Sequence, residues 1–404
     1  MAEQQVCFPR VKNTGLRGIP VADTKVSYID GIKGELQYRG FRIEDLAKHA
    51  TYEEVAHLLI HGRLPSREEL AAFDARLRAA RALPPGVVEA MARRPPTAVP
   101  MDVLQGAVPF LADHDPDLKD TSREAVARQS ERLTARLPAV VAAWKRLRAG
   151  EKPLEPRSDL THAGNFLYLL KGTEPLEQEA RIVDVCLTLH ADHTFNASTF
   201  AAREVASTRA HLYASVTAAV GALSGELHGG ANEQVMKMLQ EIGTPDKAAG
   251  YVKAKLDAGG KIMGMGHAVY KTLDPRAPIL MELALELGRK TGQSFWIDIA
   301  EAVREATQRE FKARKGLDIY PNVDFYSAAT YYQLGIDTDL FTPVFALGRI
   351  SGWCAHVIEE KFAEAQEKPE LYRPEAEYVG DYCGPQGCAW VPMAERGAPS
   401  GGGR

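Results

Sequence analysis

The chain is predicted to be mostly α-helical, in two domains, with one small N-terminal β-hairpin. Three observations give this. Apolar residues recur at helical spacing through most of the 404 residues. Period-two alternation is concentrated in one stretch near the start, and glycine and proline fall mainly between the periodic blocks. A chain this long exceeds the span of most single cores, so two domains are expected. The denser glycine of residues 218–325 marks them as the smaller domain, leaving 1–217 and 326–404 as the larger helical one.

In "DTKVSYIDGIKGELQYRGFRIEDLA", Val26 and Tyr28, then Leu36 and Tyr38, alternate around Asp30-Gly31 and Lys33-Gly34, which is hairpin chemistry. The period then changes. Thr51-x-x-Glu54 has the form of a capping box, Val55, Leu58 and Leu59 make the apolar stripe behind it, and Gly62 suits a left-handed stop. Ser66-x-x-Glu69 opens a second helix in the same way. Helical patterns continue through "EAVARQSERLTARLPAVVAAWKRLRAG", "EARIVDVCLTLHADH", "ASTFAAREVAST" and "HLYASVTAAVGALSG". Breaks fall at "RALPPG", "ARRPPTAVP" and "EKPLEPRSD", and the terminal "APSGGGR" is expected to be disordered.

Composition excludes several function classes. The hydrophobic share of 45% and charged share of 25% are ordinary for a globular protein. A net charge of -4 with interspersed signs gives no electrostatic reason for a nucleic-acid or membrane partner. No uncharged apolar run reaches the roughly 18 residues of a membrane span. "MAEQQVCFPR" lacks the basic-then-apolar form of a signal peptide. Five cysteines (Cys7, Cys186, Cys354, Cys383 and Cys388) without a C-x-x-C pair fit a reducing cytoplasm, so a cytoplasmic location is expected.

Three stretches set an ionisable residue beside unusual backbone chemistry. In "SGELHGGANE", His228 precedes two glycines, which let the chain turn or approach a ligand closely. In "GMGHAVYKTLDPRA", Gly264 and Gly266 precede His267, and Arg276 follows. In "YPNVDFYS", Asp324 sits among Tyr320, Val323, Phe325 and Tyr326, where lost hydration raises a carboxylate's basicity. Singly each has a plainer reading: a hydrogen-bonded loop histidine, a lone G-x-G without a phosphate-binding fingerprint, a helix cap. Together they suit enolisation and condensation. A carboxylate is too weak a base for the α-carbon of a thioester unless it is desolvated and a second group stabilises the enolate oxygen. Two histidines supply donors to that oxygen and to the accepting carbonyl, and no metal is required. His190 and His193, spaced i and i+3, have the form of a metal pair, but no third ligand stands at suggestive spacing.

These stretches, with "ADHTFNASTFAAREVAST", "YPNVDFYSAATYYQLGI" and "FTPVFALGRISGWCAHVIEE", resemble the citrate synthase family in order and nearly throughout the chain. The length is similar to the shorter dimeric bacterial and archaeal type. The resemblance implies a two-domain helical fold and the condensation of acetyl-CoA with oxaloacetate to citrate and CoA. It implies that His228 holds the enol of the thioester, Asp324 removes the methyl proton, and His267 acts on the oxaloacetate carbonyl. It places oxaloacetate against His193, Arg276, Arg349 and Arg373, and guanidinium groups suit a dicarboxylate because each can bond a carboxylate with two parallel donors. In the family the last arginine comes from the partner subunit, so Arg373 implies a homodimer. Coenzyme A is expected along Gly264, Met265 and Gly266, with Arg314 or Lys315 near its phosphates. The thioester is then a substrate, with no permanently bound cofactor and no metal.

Several positions depart from the family's commonest pattern. Glu226 replaces a proline, Thr194 a glycine or glutamate, Ala268 and Gln105 frequent arginines, and Glu375 a basic residue. None removes a proposed catalytic group, and Glu226 is expected to point to solvent. Two other readings stay open: a 2-methylcitrate synthase using propionyl-CoA, where one methylene decides, and a non-catalytic paralogue that binds CoA or a dicarboxylate.

Overall fold

The alternation near the N-terminus forms a three-stranded antiparallel sheet in the computed structural model, which describes residues 15, 16, 18–380 and 387–396. "MAEQQVCFPR" and "APSGGGR" lie outside the described residues. Strand β1 is Ser27–Asp30, β2 is Glu35–Tyr38 and β3 is Phe41–Arg42. Ser27 faces Tyr38, and Ile29 faces Leu36. Of the Val26/Tyr28 alternation, Val26 is buried but Tyr28 is 52% exposed, and within β1 the inward positions are Ser27 and Ile29. Apolar counting misses this because Ser27 is buried for its hydroxyl, which bonds Asp192. Strand β3 has two residues, too few to show a period.

Among the described residues, sixteen α-helices follow. Helix α1 is Ile43–His49, α2 Tyr52–His61 and α3 Arg67–Ala80. Both predicted capping boxes form: the Thr51 hydroxyl accepts the Glu54 amide, whose carboxylate accepts the Thr51 amide, and Ser66 and Glu69 do the same. Gly62 closes α2 at φ 81°. Helix α4 is Pro85–Ala92, α5 Pro100–Asp113, α6 Arg123–Arg148, α7 His162–Lys171 and α8 Glu177–His190. Pro109 and Pro138 lie inside α5 and α6, each forgoing one donor while the flanking turns carry the helix on. Helix α9 is Ala197–Ser207, α10 Leu212–Leu223, α11 Ala231–Ile242 and α12 Ala248–Asp257. Helix α13 is Arg276–Thr291, α14 Phe295–Lys315, α15 Val323–Gln333 and α16 Phe341–Lys361.

Helix α16 is buried from Phe341 to Glu360 and packs against α2, α6, α8, α9 and α10. A helix buried on every side is the centre of a helical core. Its two acids near the end, Glu359 and Glu360, are buried and offset by the equally buried Arg203 of α9, at 2.7 and 2.6 Å. A second group joins α11, α13 and α14 to α15, with α12 on α14. Packing makes one unit of the chain through Glu370. The described residues from Leu371 to Arg396 fall in a second, smaller unit and carry no regular secondary structure apart from a turn at Met393–Glu395. Among the described residues no helix is long and apolar enough to cross a membrane.

Candidate active site

The end of α8 delivers the first histidines. His190 is fully buried, donates from Nδ1 to the Cys186 carbonyl at 2.7 Å, and packs its ring on Phe345. It is a core residue whose own carbonyl accepts Arg349 Nε at 2.6 Å. His193, past the helix end, has its Nε2 3.3 Å from the Tyr270 hydroxyl, and its ring lies 5.2 Å from that of His267. Burial, then Arg276, hold the His193 imidazole well below its usual pKa. Thr194, where the family commonly has glycine or glutamate, adopts φ 49°, and its amide is held by Ser27 and Asp192, each at 3.1 Å.

The glycine loop before His267 exists to be laced to the start of α15. The Gly266 amide donates to the Tyr320 carbonyl at 2.8 Å, and the Asn322 amide donates to the Gly264 carbonyl at 2.9 Å. Asn322 Nδ2 adds a bond to the Gly266 carbonyl at 2.9 Å. Gly264 has φ 74°, and a Cβ there would come within 2.8 Å of Phe325 and Val235. The lacing ties the segment just before His267 to the segment just before Asp324. His267 Nδ1 accepts the amides of Val269 (2.9 Å) and Tyr270 (3.2 Å), so that nitrogen carries the lone pair and Nε2 carries the proton. Asp274 then grips Arg276 through two parallel bonds, at 2.9 and 2.7 Å. The same carboxylate accepts the Val323 amide at 3.2 Å, one residue before Asp324.

Asp324 lies in the first turn of α15, capped by Asn322, whose Oδ1 accepts the Asp324 amide at 3.0 Å. It is therefore not the cap that the plainer sequence reading offered. Loss of hydration raises its carboxyl to about 6, against the opposing pull of Arg276 and Arg349.

His228 arrives through the helix break in "SGELHGGANE". Helix α10 stops at Leu223, the Gly229 amide bonds back to the Leu223 carbonyl at 3.0 Å, and Thr342 bonds the Gly229 carbonyl at 3.0 Å. A Cβ on Gly229 would stand 2.4 Å from the Leu223 carbonyl, so only glycine fits. His228 Nε2 accepts the Ser198 amide at 3.1 Å and lies 2.8 Å from the Ser198 hydroxyl, which also accepts the Trp353 indole N–H at 3.1 Å. A backbone amide can only donate, so the neutral ring keeps its proton on Nδ1. Burial, then Arg349, lower the His228 pKa to about 4; burial, then Arg276, lower that of His267 to about 4. Both rings are neutral donors at pH 7. Arg349 acts electrostatically on both His228 and Asp324, and its Nη1 is buried without a partner among the described residues.

A cleft of about 820 Å³ opens beside His228 and is lined by Gly264, Met265, Gly266, Arg314 and Lys315. Arg314 is tied to Asp257 (2.6 Å) and Glu310 (2.8 Å), while Lys315 lies over the Phe311 ring at 4.8 Å. Glu226 stands exposed on the wall of this cleft. Among the other departures, Gln105 donates to the Thr217 carbonyl at 3.2 Å, and Ala268 is exposed. Arg373 and Glu375 belong to the second unit and are exposed within it. Residue patterns did not single out Ser198, Tyr270, Asp274, Asn322 or Trp353, which hold the ionisable groups. The D-P-R triplet before α13 was the available signal for Asp274. Among the described residues no group of three or more histidine, cysteine, aspartate or glutamate side chains is arranged to hold a metal.

Residues 15–375 match the family model described as "Citrate synthase, C-terminal domain". The citrate synthase of Deinococcus radiodurans is 46% identical over 366 residues, 91% of this chain and 95% of the relative. The 2-methylcitrate synthase of Mycobacterium tuberculosis is 40% identical over 372 residues, 92% of this chain and 91% of the relative. Among solved structures, the citrate synthase of Thermoplasma acidophilum, in a ternary complex with carboxymethyl coenzyme A and oxaloacetate, superposes with TM-score 0.87. It is 31% identical, and the likeness covers 95% of this chain and 98% of that one.

Proposed function

The chain belongs to the citrate synthase family, and on that premise we propose how its residues condense acetyl-CoA with oxaloacetate and release citrate and CoA. The observation that carries the reading is that two neutral histidines, each with one ring nitrogen committed as an acceptor, and a carboxylate of raised basicity share the fields of Arg276 and Arg349. Asp324 takes a proton from the thioester methyl group. His228 Nδ1–H donates to the thioester oxygen as charge develops there, and a preorganised donor in a desolvated site is worth far more than one in water. The enol carbon attacks the oxaloacetate keto carbon, and His267 Nε2–H supplies the proton that its oxygen acquires. Water then cleaves the citryl thioester: it returns a proton to His267, the proton held on Asp324 goes to the departing thiolate, and the hydrolysis draws the condensation forward.

His193, Arg276, Arg349 and Arg373 bind the dicarboxylate in this reading. Arg276 is preset by Asp274, and Arg349 brings a buried nitrogen with no partner among the described residues. The thioester lies along Gly264, Met265 and Gly266, with Lys315 and Arg314 toward its phosphates. It is a substrate, and neither a resident cofactor nor a metal takes part. Residues 218–325 close over the rest of the chain as a smaller domain, excluding water before enolisation. The working form is a homodimer with Arg373 serving the partner's site, and the location is cytoplasmic.

The 40% identity to a 2-methylcitrate synthase supports a second reading, with propionyl-CoA as the acyl donor. One methylene in an apolar pocket is worth about 1–3 kcal/mol. A thiol-release assay with oxaloacetate, comparing kcat/KM for acetyl-CoA and propionyl-CoA, separates the two. Acetyl preference is expected, propionyl preference would install the second reading, and release with neither would leave a binding paralogue.

A further inference from the structure

The N-terminal hairpin has no part in the chemistry above, yet both its ends are fastened to loops that carry proposed oxaloacetate residues. At the open end, Ser27 and Tyr38 face each other across β1 and β2. The Ser27 hydroxyl bonds the Asp192 carboxylate and accepts the Thr194 amide at 3.1 Å, so it brackets His193 from both sides. The Tyr38 hydroxyl donates toward the Asp192 carbonyl at 3.0 Å and accepts the Asp192 amide at 3.2 Å. At the turn, the Lys271 amide donates to the Gly31 carbonyl at 2.8 Å. That turn sits so close to the loop after His267 that a Cβ on Gly31 would stand 2.4 Å from the Val269 carbonyl oxygen. A Cβ on Gly34 would stand 2.8 Å from the Leu273 carbonyl oxygen.

The turn is itself stiff. Asp30 Oδ1 accepts the amides of Ile32 and Lys33, each at 2.9 Å, which fixes the backbone that presents Gly31. Four residue steps at about 3.4 Å separate the two fastened ends, Ser27 and Gly31, so the strand pair is a spacer of about 14 Å.

We propose that this hairpin is a positioning element of the oxaloacetate site: it fixes the His193 loop against the loop of His267, Tyr270 and Arg276. It also joins a segment of the expected larger domain (residues 27–38) to one of the smaller (269–273), so the Gly31 contact is a latch between them. The absence of side chains at 31 and 34 is part of the device, because two backbones meet there. The substrate named here rests on the function proposed above. Wild-type thiol release tests that reading, and the latch is read only as variant-to-wild-type ratios.

Three variants test it: Gly31→Ala wedges the turn end, Ser27→Ala loosens the open end, and Ile32→Ala is a control whose side chain is 81% exposed. Gly31→Ala is expected to raise the KM for oxaloacetate about tenfold or more, as misplacement of positioning groups does. The KM for acetyl-CoA at saturating oxaloacetate should change less than twofold. Ser27→Ala should move the same constant in the same direction, and Ile32→Ala should match the wild type. The two effects should also fail to multiply in the double variant, because one rigid element transmits both, whereas independent sites add in free energy. Oxaloacetate KM within twofold of wild type in both single variants would overturn the proposal. So would an equal rise in both substrates' constants, or an Ile32→Ala effect equal to that of Gly31→Ala. If Gly31→Ala does not fold, Ser27→Ala alone decides by the same split.

Discussion

At the scale of single residues, the proposed site sets three groups to protonation states that do not conflict. Asp324 is raised to about 6, while His228 and His267 are lowered to about 4. Between these values and neutrality only Asp324 changes charge. The pH profile of kcat/KM should therefore rise through pH 6 and level off above it, with no limb from either histidine. An acid limb near 4 would mean that Asp324 is not the base. Asp324→Asn should lower kcat on the order of 10³-fold, the usual worth of a positioned base, while calorimetric binding of oxaloacetate stays near wild type. Loss of that binding would give Asp324 another role. The same variant should be more stable. The folded carboxyl holds its proton more tightly than the unfolded one, so wild-type stability declines as pH rises from about 4 to about 6. The Asn variant escapes this loss, a gain on the order of 1 kcal/mol above pH 6 after discounting for residual solvent contact. Its melting temperature should exceed wild type at pH 7.5 and converge with it at pH 4.

At the scale of elements, α15 and the glycine loop behave as one piece because Asn322 joins them. Its Oδ1 caps α15 and its Nδ2 holds the Gly266 carbonyl. Asn322→Asp keeps the capping oxygen and loses the donor; Asn322→Ala loses both. The alanine variant should lose about 1 kcal/mol of stability by urea titration, and the aspartate variant much less. Both should lose activity, because His267 and Asp324 would no longer share a frame; full activity in Asn322→Asp would show that the cap alone matters. This distinction also marks what the residue order discloses. The capping boxes at Thr51 and Ser66, the stop at Gly62 and the long helices were legible, since their bonds close within four residues. His228, His267 and Asp324 stood out as candidates because each stands beside a break in pattern. The supports were not: Trp353 reaches Ser198 across 155 positions, and Ser27 reaches Asp192 across 165. No local period records such pairs, and the polar Ser27 even disguised the phase of β1.

At the scale of the whole molecule, the arginine set remains divided between two packed units. Arg276 and Arg349 are buried in the first, each with at least one bond already made, and Arg373 lies exposed in the second. A dicarboxylate held by Arg276 and Arg349 alone would lack the third guanidinium that the family places across the subunit boundary. Mixing two inactive variants decides whose site Arg373 serves. Asp324→Asn supplies an intact Arg373 but no base; Arg373→Ala supplies the base but not the arginine. If Arg373 crosses, each hybrid dimer has one complete site, formed by Asp324 of one chain and Arg373 of the other. Random reassortment into C2 dimers makes half of them hybrids, so about a quarter of wild-type activity should return. If Arg373 serves its own chain, every site in the mixture lacks one of the two groups and nothing returns. Refolding the two variants together and apart, with thiol release as the readout, gives these outcomes directly. Recovery also requires that subunits exchange, which a mass-tagged hybrid resolved by native mass spectrometry establishes in the same sample.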